Sequence, residues 1–161
     1  MATEPAADSV VDLDIGVSPD AGVSGALVLQ DEYDTRLAFH ATTKASKGSR
    51  AGMAIVTFQR CLLTRFGYPN DEALGEHPLY QRGLGLYGVF EVLNSSWARS
   101  VVVQNRRSFP ETPDDYADRH FVFTFHGSTF ECLAKDLRVD LSEECLGILQ
   151  TLLKQMVERS A

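Results

Sequence analysis

Arg119 to Leu137 reads RHFVFTFHGSTFECLAKDL, and the way this stretch pairs with itself decides the fold. Two runs of alternating side chains flank His126-Gly127-Ser128-Thr129, the pattern of a β-hairpin. Gly127 and Ser128 as the central residues suit a type II′ turn, whose first central position needs φ > 0. That register sets Phe125 opposite Phe130, Phe123 opposite Cys132 and Phe121 opposite Ala134, so one face is wholly apolar. The other face carries His120, Val122, Thr124, His126, Thr129, Glu131, Leu133 and Lys135, a mostly polar set.

Immediately upstream, Leu86–Asn94 and Arg99–Asn105 read as two further strands around the turn Ser95-Ser96-Trp97. The proline-containing stretch Arg106–Asp118 is an exposed connection to the hairpin. Earlier still, Met53–Phe66 is the longest extended segment, apolar on both rows; strands beyond about 10 residues are unusual, which predicts a bulge or bend inside it. Alternation also marks Val11–Val17, Ala26–Gln30 and Thr35–Thr43, with Lys44–Gly52 a flexible loop. After Leu137 the period changes. Cys145, Leu149, Leu152, Leu153, Met156 and Val157 recur at helical spacing, which predicts an amphipathic helix over 142–159 with Ser142 as N-cap.

About eight strands joined by short connections pair antiparallel, because parallel pairing needs long crossovers. The expected fold is mainly β: an antiparallel barrel or strongly curved sheet with one C-terminal amphipathic helix. A two-layer α+β sheet is the alternative. Residues 1–9 read as a flexible tail and 10–161 as a single domain, an ordinary size for a chain of 161 residues with 44% hydrophobic content.

Charge and cysteines narrow the function. A formal charge of -7 and an acidic balance argue against nucleic acid as a partner. No apolar run approaches the ~18 residues of a membrane span, and the acidic N-terminus lacks the regions of a secretion signal. Cys61, Cys132 and Cys145 have no zinc-like spacing, and one would be left over in any disulfide scheme. Reduced thiols in a cytoplasmic protein are the simplest account, with Cys61 and Cys132 as core thiols.

Chemistry concentrates on the polar face of the hairpin. In the expected register His126 and Glu131 are diagonal neighbours, with Thr124 directly opposite Glu131. A carboxylate orienting an imidazole is the arrangement of a general base, and the bland alternative is a solvated sheet face. His120 and His126 lie six residues apart on one strand, about 20 Å between Cα atoms, so they cannot share an ion; no metal and no cofactor is expected. Arg60 and Glu91 sit in strands that look buried and would need each other, either to grip a ligand or as a structural ion pair. The long loop Gly67–Gly85 offers Tyr68, His77 and Tyr80, while Tyr87 and His40 add polar tips to nearby strands.

Three functional readings follow. The first is a small-molecule-binding protein with the 67–85 loop over the pocket mouth, Arg60, Glu91, Tyr68, Tyr80, Tyr87 and His40 contacting the ligand. The second is an acid–base enzyme (isomerase, lyase or cyclase) on the same scaffold, using His126, Glu131 and His77. The third is a protein–protein interaction module, a homodimer or a binder of another chain.

Overall fold

The structure is a computed structural model that describes residues 6–142 and Glu158. The helix expected over 142–159 therefore lies outside the described residues, except that Ser142 is the last residue of a strand. Among the described residues there are ten strands: β1 (Ser9–Asp12), β2 (Ser18–Pro19), β3 (Leu27–Gln30), β4 (Thr35–Thr42), β5 (Arg50–Gln59), β6 (Leu63–Gly67), β7 (Val89–Leu93), β8 (Arg119–Thr124), β9 (Thr129–Ala134) and β10 (Asp136–Ser142). One helix, α1 (Ser96–Arg106), joins β7 to β8.

The strands form two antiparallel sheets rather than one closed barrel. One runs β1-β7-β8-β9-β6; the other runs β10-β5-β4-β2, with β3 also paired to β4. The sheets face each other through Leu37, Phe39, Val56 and Phe58 on one side and Phe121, Phe123, Phe125 and Phe130 on the other. These rings meet at centroid distances of 5.2–6.1 Å between the sheets, in tilted and edge-on contacts that fill the space between the layers.

The long apolar run from Met53 divides where a bend was expected. β5 ends at Gln59, Arg60 adopts φ +48, and the chain crosses to the other sheet to start β6 at Leu63. At its other end β5 begins three residues early, at Arg50, and its register against β4 slips between Ala41 and Thr42. Gly52 sits at this irregularity with φ +147, a conformation suited to glycine.

Three expectations need correction. Arg99–Asn105 is helix, not strand: Ser95 caps α1 by accepting the Ala98 N–H (3.1 Å), and Trp97, Ala98, Val101 and Val102 pack with Leu133, Ala117 and Leu62. Burial of that face outweighs the weak helix preference of three successive valines. Asp136–Ser142 is a strand that had not been anticipated, although Leu137, Val139 and Leu141 alternate with charges. Asp8 and Ser9 belong to no loose tail: Ser9 pairs with Leu93, and Asp8 accepts from Ser96 N–H (2.6 Å) and the Ser96 hydroxyl (2.7 Å).

The hairpin turn also lies one residue earlier than expected. Thr124 pairs with Thr129, and Phe125 N–H donates to Ser128 O (2.8 Å), which puts His126 and Gly127 at the tip. Partners shift by two, to Phe123 with Phe130 and Phe121 with Cys132. A shift of two preserves every side chain's face, so the inward aromatic row survives intact.

Candidate functional site

The outer face of the β8–β9 hairpin is neither solvated nor open to a pocket. His120, Thr124, Thr129 and Glu131 are all buried. Over them lies the segment from Pro69 to Gly88, with two short 3-10 turns at Leu74–Glu76 and Tyr80–Arg82. Leu74, Leu79 and Leu84 press onto Val10, Phe90, Val92 and Val122 of the sheet. Gly83, at φ +112, closes this cover against β1; a Cβ there would lie 2.9 Å from the Val10 carbonyl oxygen.

Each polar side chain of the hairpin face holds one point of that cover. The Thr129 hydroxyl donates to Pro69 O (2.9 Å). Glu131 Oε1 lies 3.1 Å from His77 Nε2. The Thr124 hydroxyl donates to Gly85 O (2.9 Å) and accepts the Gly88 N–H (3.0 Å). His120 Nδ1 lies 2.8 Å from Ser95 Oγ, the cap of α1. The alternation that gave the hairpin a polar face is thus a row of anchors, taken up in chain order by residues 69, 77, 85, 88 and 95.

The centre of the row is His77–Glu131–His120. Glu131 Oε2 accepts from His120 Nε2 at 2.8 Å while Oε1 accepts from His77. His77 Nδ1 accepts the Leu79 N–H (3.1 Å), which places that ring's proton on Nε2. The Glu131 carboxylate can only accept, so His120 Nε2 carries a ring proton, and Nδ1 is then the acceptor for the Ser95 hydroxyl. Burial pushes the Glu131 carboxyl up, but the two imidazole donors pull harder and hold it at about 2. A metal between the rings would need both Nε2 atoms bare, so this donor set fits hydrogen bonding rather than a cation. Among the described residues no group of three or more His, Cys, Asp or Glu side chains is placed to hold a metal.

His126 has a different partner from the one expected. It projects from the turn, half exposed, with Nδ1 2.7 Å from Asp71 Oδ2; Asp71 also accepts the Tyr87 hydroxyl at 2.5 Å. The Tyr87 bond, helped by His126, holds the Asp71 carboxyl below its usual range. Asp71 N–H in turn donates to His126 O (3.3 Å), which pins the cover to the turn.

The remaining candidates do not converge. Arg60 binds Asp118 and Tyr116 O, whereas Glu91 makes a bidentate pair with Arg119 (2.7 and 2.8 Å). Tyr68 and Tyr80 point outward at 79% and 43% exposure. His40 lies on the opposite sheet, across from Met53; its Nδ1 is buried with no hydrogen-bond partner among the described residues. Burial, reinforced by Arg50, lowers its pKa. The contact of Asp71 with His126, the Ser95 cap and the pairing of His120 with Glu131 had not been anticipated; a Ser-Ser before a residue pattern of Trp97, Val101 and Val102 was the available signal for the cap.

Two features open to solvent remain. The first is the edge of β6, which among the described residues pairs only with β9. Leu63 and Phe66 stand on opposite faces of it at 41% and 47% exposure, Leu63 aligned with outward Leu133 and Phe66 with inward Phe130. The second is a groove of about 520 Å³ beside it, lined by Leu62, Leu63, Val101, Arg107, Phe109 and Tyr116 among others. No described helix is long and apolar enough to cross a membrane. Comparison of the chain with protein-family models, with curated proteins and with solved structures finds no match.

Proposed function

We propose that the protein is an interaction module that receives an extended segment of another protein along the edge of β6. The observation that carries this reading is the edge itself: a five-residue strand with large apolar side chains exposed on both faces. Sheet edges are ordinarily blunted by charge, proline or brevity. Three other edges follow that rule: β1 is four residues ending in Asp12, β2 is two residues with Pro19, and β10 carries Asp136, Arg138 and Asp140; the edge strand β3 is uncharged, but it is only four residues long and its Leu27, Val28 and Leu29 are half-buried. β6 has Arg65 as its one charged residue, stacked 4.0 Å over the Trp97 ring.

A strand added to β6 would bond through its main chain and send alternate side chains to either face. Those on the outer face meet the groove of Leu62, Val101, Phe109 and Tyr116. Arg65 and Arg107 have no carboxylate partner among the described residues, so the complementary segment alternates apolar with acidic residues. This reading is favoured over a ligand held between the sheets because aromatic rings fill that space. It is favoured over acid–base catalysis at Glu131 because that carboxylate is buried and fully engaged.

Selection from a displayed library of random peptides of about 12 residues tests it. Selected peptides should carry the apolar–acidic alternation and slow amide exchange across β6. Leu63→Lys and Phe66→Lys should each weaken them by about tenfold or more while leaving the melting temperature nearly unchanged. Peptides that bind both variants as well as the parent, or that protect amides elsewhere, would overturn the proposal.

A further inference from the structure

We infer that Ser95, His120 and Glu131 form a serine-hydrolase centre that cleaves a small polar carboxylic ester. Ser95 is the nucleophile, His120 the base, and Glu131 the carboxylate that positions the ring. The Ser95 hydroxyl donates to His120 Nδ1 (2.8 Å), and His120 Nε2 donates to Glu131 Oε2 (2.8 Å). Hydroxyl, imidazole and carboxylate linked in that sense define such a centre by geometry and role, whatever their order along the chain. The serine sits on Nδ1 and the carboxylate on Nε2; either ring nitrogen can accept a proton while the other stays a donor. Glu131 neither gives nor takes a proton, so the burial that argues against it as an acid or base suits this role.

The fold sets Ser95 where a nucleophile is needed. It follows the sharp turn from β7 into α1, made by Asn94 at φ +55 and braced by the Arg99 guanidinium, which donates to Asn94 O. As the N-cap it precedes the first turn of α1, whose N–H groups lack intrahelical acceptors. Asp8 takes the Ser96 N–H, and the Ala98 N–H already reaches Ser95 Oγ (3.1 Å). The Trp97 and Ala98 N–H groups are therefore the donors for an oxyanion formed at Ser95. Ser95 also lines a cavity of about 370 Å³ with Glu91, Ala98, Arg99, Asp114 and Arg119, while His120 and Glu131 are buried behind it. Mostly polar walls of both charges suit a short polar acyl group rather than a lipid chain.

Ser95 Oγ attacks the ester carbonyl carbon as its proton passes to His120 Nδ1, and Glu131 stabilises the imidazolium that results. The tetrahedral adduct collapses, the bond to the alcohol oxygen breaks, and the alcohol leaves with the proton from Nδ1. Water then gives a proton to Nδ1 while its oxygen attacks the acyl carbon; Ser95 Oγ departs and takes that proton back. One ester and one water become one acid and one alcohol, with no oxidation or reduction.

The test uses the full chain, a fluorophosphonate probe and p-nitrophenyl acetate. The probe loses fluoride to Ser95 Oγ, so a tryptic digest should carry it on residues 83–99, with fragmentation placing it on Ser95 rather than Ser96. Ser95→Asn keeps a capping side chain, so it should melt close to the parent yet take no label there and release no p-nitrophenolate. Glu131→Gln stays folded at neutral pH but moves the His120 proton to the nitrogen facing Ser95, and should label about a thousandfold more slowly. Its pH profile separates positioning from mere structure. Glu131 is the ionised group that touches His120; His77 lies beyond it on the other oxygen, and Arg65 over the Trp97 ring. The parent rate should level off once His120 is neutral, whereas the Glu131→Gln rate should keep rising with pH as hydroxide replaces the ring as base. A folded parent that takes no label on Ser95 would overturn the inference. So would a Ser95→Asn protein that still hydrolyses the ester, or a Glu131→Gln protein that labels as fast as the parent.

Discussion

Glu131→Leu should lower folding stability by about 4 kcal/mol, and Glu131→Gln by about half as much. The carboxylate is the shared acceptor for His77 and His120, one held by the cover and the other on β8. Leucine leaves two buried ring N–H groups without acceptors, and neither ring can turn its other nitrogen to the task. His77 Nδ1 is committed to the Leu79 N–H, and His120 Nδ1 to Ser95. Glutamine keeps one oxygen for His77. Its amide can face His120 if that ring moves its proton to Nδ1 and donates to Ser95 Oγ, so the loss is smaller. Urea unfolding of both variants at neutral pH reads the difference. Equal losses, or a loss under about 1 kcal/mol for leucine, would mean that the triad does not tie the cover to the sheet.

The same carboxylate sets an acid limit. Its folded pKa of about 2 lies below the ordinary 4.5, so ionised Glu131 favours the folded state. That stabilisation, about 3 kcal/mol, is fully present above pH ~4.5 and is lost as pH falls from there through ~2. Below pH ~4.5 the parent should therefore lose stability more steeply than Glu131→Gln. Parallel curves across that window would assign the acid sensitivity to other carboxylates.

The hairpin shows how much of this was legible and where legibility stopped. Period-two alternation identified the strands and both faces of β8 and β9, because a face depends only on parity. The turn was a different matter. Placing Gly127 first in a type II′ turn assumed that its freedom at positive φ was needed, yet Gly127 is not among the residues with positive φ. The tip is held instead by Asp71, more than fifty residues away, a contact that no local pattern encodes. The one-residue slip changed no face, but it exchanged the carboxylate's neighbours. In the expected register Glu131 is diagonal to His126; in the observed one it faces Val122 and is diagonal to His120. A buried tie between layers was therefore read as an exposed dyad. α1 failed for a related reason: three valines in a row resemble a strand until the sheet surface that receives them is known. The edge of β6 was hidden too, since alternation identifies a strand but not whether it has one neighbour or two.

The aromatic row allows a test of the other half of the architecture, the contact between sheets. Phe58 on β5 reaches across to Phe121 (6.1 Å), Phe123 (5.9 Å) and Phe130 (5.4 Å), and is 2% exposed. Phe58→Ala should cost about 4 kcal/mol, because the lost ring leaves a void bounded by three rings on two paired strands that cannot close independently. Phe58→Leu recovers most of the volume but none of the edge-to-face contacts, and should cost about 1.5 kcal/mol. Phe66→Ala, half exposed on β6 and touching Phe130 alone among the rings at 6.3 Å, should cost under about 1 kcal/mol. For a domain whose whole stability is of order 10 kcal/mol, that ranking is well resolved by urea midpoints with unchanged slopes. If Phe58→Ala proved as mild as Phe66→Ala, the two sheets could not be packed through these rings. The space between them would then be free for a ligand, and the reading that places binding at the β6 edge would lose its main advantage.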